Sequence, residues 1–247
     1  MREVLYGRNP VYEALRAQRR QAHRLWVADG VQIKGNLRAA IQIAAQRGVP
    51  YQRAPKRRLD ALVGHRHHQG VALEAGPYPY TDLGEMLALA KRQGEPPFLL
   101  LLDALQDPQN LATLLRTAEA VGIHGVLLPL RRTATVTPAV VNASSGATEH
   151  LLIGQTNLAQ AIETLQARGV WVVGLEGSPE ALLPEQVALT GALALVVGSE
   201  GQGLRRLVRQ KCDVLLRLPM RGKIESLNAA AAGSVALYLA WQQRGWA

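Results

Sequence analysis

A chain of 247 residues with 48% hydrophobic and 19% charged residues has the apolar material for a sizeable core, which excludes disorder and a coiled coil. Its formal charge of +9 is segregated: residues 1–76 carry 14 Lys and Arg against 5 Asp and Glu, and residues 77–247 carry 14 against 14. Cys212 is the only cysteine, so an internal disulfide and a cysteine zinc site are excluded, and no run reaches the roughly 18 apolar residues of a membrane span.

In chain order, residues 10–18 read as a helix, 24–28 (RLWVA) as a strand, about 35–47 as a helix, 50–53 as a short strand, 56–63 as a helix and 70–75 (GVALEA) as a closing strand. This unit, residues 1–76, holds the whole charge excess, and a basic module beside a neutral one points to a polyanionic partner. The start, MREVLYGRNPVYEAL, is charged from Arg2 and lacks a signal-peptide apolar stretch, so a cytoplasmic protein is expected. Pro77 and Pro79 stiffen the backbone that follows, a short helix runs from Thr81 to about Gln93, and GEPP closes a linker over 77–97.

From residue 98 the rhythm changes. FLLLLDAL (98–105), GVLLP (125–129), VWVVGL (170–175), LALVVG (193–198) and VLLRLP (214–219) are continuous apolar runs, as in strands buried on both faces of a parallel sheet. Helices are expected at 110–121, about 137–145, 157–168, 203–211 and about 226–243. The fold class is α/β: a small α/β unit, then an open parallel sheet over 98–247. Ligands of such sheets bind beyond the carboxyl ends of the strands, here after Leu105, Leu128, Leu175, Val197 and Leu218.

Three of those segments carry unusual residues. In Asp107-Pro108-Gln109-Asn110-Leu111, Pro108 sets a turn and Asn110 suits either a helix cap or a ligand contact. Arg116, flanked by Leu114, Leu115, Ala118 and Ala120, is a cation in an apolar helix, which calls for an ion pair or an anionic substrate. Gly198-Ser199-Glu200-Gly201-Gln202-Gly203 places three glycines at a strand end, where backbone can approach a ligand closely. Its order is neither the dinucleotide fingerprint nor a P-loop, and no nucleophile elbow surrounds Ser199. The third segment, LPMRGKIESLN from Leu218 to Asn228, leads into Ala229–Ala232. Ser226 is a candidate N-cap there, and packing does not explain Asn228 at the head of so apolar a helix.

DPQNLATLLRTAEAVG, LALVVGSEGQGL and LPMRGKIESLNAAAA resemble, in order and spacing, the three motifs of the SpoU/TrmH branch of the SPOUT RNA methyltransferases. LYGRNPVYEAL and HQGVALEA are similar to the opening and closing strings of that family's small RNA-substrate-binding domain. The full-length pattern is most similar to the RlmB-type branch, which methylates a guanosine ribose 2′-hydroxyl in 23S rRNA. Ala229–Ala230 departs from the Val or polar residue that many relatives carry. The alternatives are a non-catalytic RNA-binding or ribosome-assembly factor on the same fold, which cofactor binding would separate, and a tRNA 2′-O-methyltransferase.

The resemblance implies a methyltransferase domain with a carboxyl-terminal trefoil knot, S-adenosylmethionine without a metal, and a homodimer with the active site at its interface. It puts the cofactor against Gly198, Ser199, Glu200, Gly201, Gly203, Leu218, Pro219, Met220, Ser226 and Leu227. Asn110, Arg116, Glu200, Ser226 and Asn228 then surround the reacting ribose. Arg116 acts as base or as the cation stabilising the forming alkoxide, the first being awkward because a free guanidinium stays protonated.

Arg19, Arg20, Lys56, Arg57 and Arg58 in the basic unit, and Arg131 and Arg132 after the second strand of the parallel sheet, are the expected RNA contacts. His65, Arg66, His67 and His68 read as a solvated basic loop, and Trp26 and Tyr51 as core residues of strands. Leu227, Val235, Leu237 and Leu239 on the last helix, with the 110–121 helix, form the expected dimer surface.

Overall fold

The computed structural model describes residues 2–224 and 226–246, and Glu225 of the third motif lies outside them. In chain order the elements are β1 (Glu3–Tyr6), α1 (Arg8–Ala17), β2 (Ala22–Ala28), α2 (Asn36–Gln46), β3 (Tyr51–Ala54), α3 (Lys56–Val63), β4 (Val71–Ala75), α4 (Leu83–Gln93), β5 (Phe98–Leu102) and α5 (Pro108–Ala120). They continue with β6 (Gly125–Pro129), α6 (Pro138–Ala143), β7 (Ile153–Thr156), α7 (Leu158–Gln166), β8 (Trp171–Leu175), β9 (Leu193–Val197), α8 (Arg206–Lys211), β10 (Val214–Leu216) and α9 (Ala229–Gln243). β1 and β7 were not expected from the sequence. Both are four-residue edge strands, too short to show a period.

The chain divides into two compact units, residues 1–79 with 136–150, and residues 80–135 with 151–247. Unit 1 is a four-stranded sheet in the order β1-β4-β2-β3, with β4 antiparallel to β1 and β2, and β2 parallel to β3. Trp26, Ala28 and Ala72 pack with Leu59 of α3 on one face, and the alternate residues Leu25 and Val27 are fully buried on the other.

Residues 136–150 belong to unit 1, whereas the sequence reading kept all of 98–247 in one domain. α6 packs on β1, where the Asn142 amide donates to the Tyr6 carbonyl at 3.1 Å. Glu149, 1% exposed, accepts both Nε and Nη2 of Arg20 at 2.9 Å, and Arg20 Nη1 reaches Glu3 at 2.5 Å. A carboxylate this deep needs a paired, hydrogen-bonded cation, and its partner lies 129 residues earlier.

Unit 2 is a six-stranded sheet in the order β10-β8-β9-β5-β6-β7, and each adjacent pair is parallel. β5, β6 and β9 are buried at every residue, as continuous apolar strands require. Met86 of α4, Ile162 and Leu165 of α7 and Val208 of α8 cover Leu99, Leu101, Val172 and Val196. α4 therefore joins this core rather than serving as linker. α5 and α9 pack together, and a Cβ on Gly233 would stand 2.6 Å from Leu114 Cδ2, so a larger residue there would have to push the Leu114 side chain aside. Leu237 is fully buried in the same chain, which removes it from the expected dimer surface, and Leu239 is half-buried; Leu227 and Val235 are exposed, and so is Tyr238, which was not expected there. Among the described residues, no helix is long and apolar enough to cross a membrane.

Candidate active site

The order of the strands puts a crevice at one end of unit 2. From β5 the chain moves to β6 and β7 on one side, while β9 lies on the other side of β5, so the β5–β9 junction is a topological switch point. Two cavities lie at the carboxyl ends of these strands.

The larger, about 570 Å³, is walled by the loops after β8, β9 and β10 and by the start of α9. Gly198, Ser199, Glu200, Gly201 and Gly203 line it, with Leu218, Met220, Ser226 and Leu227. Pro219 is absent from the lining. Glu176, Gly177 and Ser178 line it as well and were not named beforehand; only the strand-end rule pointed to the segment after Leu175.

The glycine loop is a tight reversal in which Ser199 and Gly203 exchange backbone hydrogen bonds of 3.1 and 3.0 Å. A Cβ on Gly198 would fall 2.2 Å from the Gly203 carbonyl carbon, so any side chain there opens the loop. The far end of the loop is pinned by Asp103, which is fully buried and accepts from Arg205 N at 2.7 Å and Arg205 Nε at 2.6 Å. Asp103 was missed; its signal was a carboxylate closing the apolar run FLLLL.

The smaller cavity, about 310 Å³, lies between the loop after β5 (Ala104–Asp107, with Asn110) and Ser199, Glu200 and Gln202. Ser199, Glu200 and Gln202 are common to both cavities and form a shared wall. Ala104, at φ 58°, adopts the left-handed conformation that side chains other than glycine seldom take, a strain of the kind that collects at functional loops.

Three predicted residues meet at the wall. The Asn110 amide donates to Glu200 Oε1 at 2.7 Å, and the Asn228 amide donates to the same oxygen and to Asn110 Oδ1 at 3.0 Å. Asn110 is free for this because Asp107, not Asn110, caps α5, accepting from the N–H groups of Gln109 and Asn110. Asn228, not Ser226, caps α9: its Oδ1 accepts from Ala230 N and Ala231 N at 2.9 and 3.1 Å. One face of the Asn228 amide thus holds the helix and the other holds Glu200. Arg116 joins neither cavity. It is exposed on α5, six residues and about 1.7 turns past Asn110, which turns it to a different face. No Lys, Arg or His stands among the described lining residues of either cavity, whereas Glu176, Glu200 and Asp107 do.

The basic residues divide. Arg20 is buried against Glu149 and Glu3, so it is structural and not an RNA contact. Arg19 donates to Tyr78 Oη at 3.0 Å and to the Pro79 carbonyl at 3.3 Å, which commits it to the fold as well. Lys56, Arg57, Arg58, Arg131 and Arg132 are exposed. Arg24 and Arg58 lie over the ring of Trp26, which is buried as expected, whereas Tyr51 is 40% exposed on edge strand β3 and is not core. His68 is buried between Asp60 and Gly70 N, and the described residues hold no group of three metal-ligating side chains. Burial pushes the Cys212 thiol up to about 12, so it is inert at neutral pH.

Comparison with known proteins shows the family. The SpoU rRNA Methylase family matches residues 97–238, and the RNA 2′-O ribose methyltransferase substrate-binding family matches residues 4–81. The chain is 40% identical over 243 residues to a Bacillus subtilis protein named for the TrmH family of tRNA/rRNA methyltransferases, YacO, covering 98% of this chain and 96% of that one. It is also 40% identical over 243 residues to the Pseudomonas putida 23S rRNA (guanosine-2′-O-)-methyltransferase RlmB, covering 98% and 97%. Among solved structures, the SpoU methyltransferase AviRb of Streptomyces viridochromogenes, in complex with AdoMet, matches with a TM-score of 0.81 at 22% identity over 100% and 92% of the chains, a likeness of fold.

Proposed function

The chain belongs to the SpoU rRNA methylase family, and from that premise we propose that it transfers a methyl group from S-adenosylmethionine to the ribose 2′-hydroxyl of a guanosine in 23S rRNA. The observation that carries the reading is the pair of cavities meeting at one polar wall, Glu200 held by Asn110 and Asn228.

The larger cavity fits the cofactor. Its volume, about 570 Å³, is of the size small-molecule sites take. Its glycine loop lets backbone approach, and its lining holds Glu200 with no Lys, Arg or His among the described lining residues, which suits a ligand of net positive charge. When bound, S-adenosylmethionine supplies a methyl group on a sulfonium, a good leaving group. Gly198–Gly203, Leu218, Met220, Ser226 and Leu227 hold it there.

The smaller cavity receives the ribose. A hydroxyl attacks only as its proton leaves, and Glu200 is the acceptor at the junction. Both amides on its Oε1 fix its orientation, so Asn110 and Asn228 position the acceptor, while Ser226 lines the larger cavity. Arg116, outside the cavities of its own chain, serves as cation for the substrate phosphate or the forming alkoxide across a homodimer interface built on the exposed Leu227, Val235 and Tyr238 of α9 and its approach. Lys56, Arg57, Arg58, Arg131 and Arg132 hold RNA phosphates. A trefoil knot at the carboxyl end of the sheet and a place in the cytoplasm complete the reading.

Purified protein incubated with S-adenosylmethionine and either 23S rRNA or tRNA tests this, with nucleoside mass spectrometry as readout. 2′-O-methylguanosine is expected in the 23S rRNA arm. Methylation confined to tRNA, or none in either arm, contradicts the reading.

A further inference from the structure

In RNA, the carbon that bears the 2′-hydroxyl adjoins the carbon that bears the 3′-phosphodiester. An acceptor ribose in the smaller cavity therefore brings an anion to its mouth. The cavity offers that anion nothing: its ionisable lining residues are the carboxylates Asp107 and Glu200, with no Lys, Arg or His among the described lining residues. The phosphodiester is repelled by those carboxylates, and it makes the hydroxyl harder to ionise, because a second negative charge must form beside the first. A cation at the mouth relieves both.

The loop after β6 carries two. β5 and β6 are parallel neighbours, so the loops that leave them emerge at the same end of the sheet. These loops are tied together: Thr133 Oγ1 and Ala134 N both donate to the Leu105 carbonyl, at 3.0 and 2.7 Å, and Leu105 lines the smaller cavity. Arg131 and Arg132 stand immediately before this anchor. Both are exposed, and neither makes an ion pair or a side-chain hydrogen bond among the described residues. Arg132 has φ 58°, the left-handed region that residues with a Cβ seldom take, and Ala104 in the loop to which it is tied has the same value. Backbone strain in two tied loops is held by the structure around it, and such strain collects where a ligand is gripped.

Resting on the methyl-transfer reading and deepening it, we infer that Arg131 and Arg132 clamp the phosphodiester 3′ to the methylated ribose and so act on the transfer step as well as on RNA affinity. In that step the 2′ oxygen bonds to the methyl carbon as the carbon's bond to sulfur breaks and the hydroxyl proton passes to Glu200. A neutralised phosphodiester next to it lowers the cost of the charge that gathers on the oxygen. Of the two roles open to Arg116, the forming alkoxide is then the one left.

Single-turnover methylation of 23S rRNA by the full-length protein tests this, at saturating RNA and S-adenosylmethionine. In the double variant Arg131→Ala with Arg132→Ala, the rate at saturation is expected to fall about ten- to hundredfold. The double variant Arg131→Lys with Arg132→Lys should recover part of that rate, since lysine keeps the charge and loses the planar fork. S-adenosylmethionine affinity, measured by calorimetry, should stay within about twofold in both, which also shows that unit 2 is folded. A normal rate for the double alanine variant at saturating RNA overturns the inference, because the arginines then serve affinity alone. A loss of S-adenosylmethionine affinity that accounts for the whole loss of rate overturns it too, since it puts the arginines on the cofactor's carboxylate. Absence of methylation by the unaltered protein would remove the methyl-transfer reading itself, and the clamp with it.

Discussion

The two units use charge in opposite ways. Unit 1 holds 14 Lys and Arg against 6 Asp and Glu, yet two of its arginines, Arg19 and Arg20, are spent inside the fold. Unit 2 holds 14 against 13, and its cavities are walled by carboxylates, amides and glycine backbone. Net charge thus locates a module that meets a polyanion, but only the hydrogen-bond partners tell a contact residue from a structural one. Arg20 and Arg57 are indistinguishable in sequence. One is buried in an ion pair and the other is in water.

The sharpest way to break that distinction is to remove each. Arg20→Ala leaves Glu149 buried without its cation and is expected to cost about 3–5 kcal/mol in urea denaturation. Arg57→Ala should stay within about 0.5 kcal/mol of the unaltered protein. Equal stability of the two variants would refute the division. The same pair makes a fragment of residues 95–247 a poor test of unit 2, since it would keep Glu149 and lose Arg20.

Next in size is the RNA term. Replacing Lys56, Arg57 and Arg58 together with Ala should weaken RNA binding and lower the slope of log affinity against log salt by about 2–3, while S-adenosylmethionine affinity stays within about twofold. Filter binding over a salt series reads the slope. An unchanged slope would place the RNA surface elsewhere.

The smallest effect concerns unit 2 and pH. His124 is buried, its Nδ1 accepts from Phe98 N at 3.0 Å, and burial holds its pKa below the usual histidine range. Its neutral form is thus favoured by folding, so its contribution is present above about pH 6.5 and is lost as pH falls toward the folded value. Protonating Nδ1 would also remove the acceptor for Phe98 N. Stability of His124→Asn should be flatter than that of the unaltered protein between pH 7 and 5; parallel curves would exclude His124 as the cause.

Much of unit 2 was legible because strands buried on both faces write themselves as apolar runs, and the three motifs brought Asn110, Glu200 and Asn228 to notice by resemblance. What stayed hidden depended on contacts distant in sequence. Glu149 gives no sign that its partner is Arg20, so the packing of residues 136–150 with unit 1 is not legible in the sequence. The cap on α5 was misplaced by three residues because Asp107 and Asn110 are both good capping types, and only the fold shows that Asn110 is engaged with Glu200. Arg116 looked costly in an apolar helix, but the helix has an exposed face and Arg116 stands on it.

The central claim is that Asn110, by holding Glu200, serves the acceptor hydroxyl and not cofactor binding. Asn110→Ala tests it most directly, because Asn110 lines the smaller cavity alone and is not a helix cap. Single-turnover methyl transfer to 23S rRNA, measured beside calorimetric S-adenosylmethionine affinity, should show the rate falling by about a hundredfold or more with affinity within about twofold. A near-normal rate, or a loss of affinity that accounts for the whole loss of rate, would contradict it.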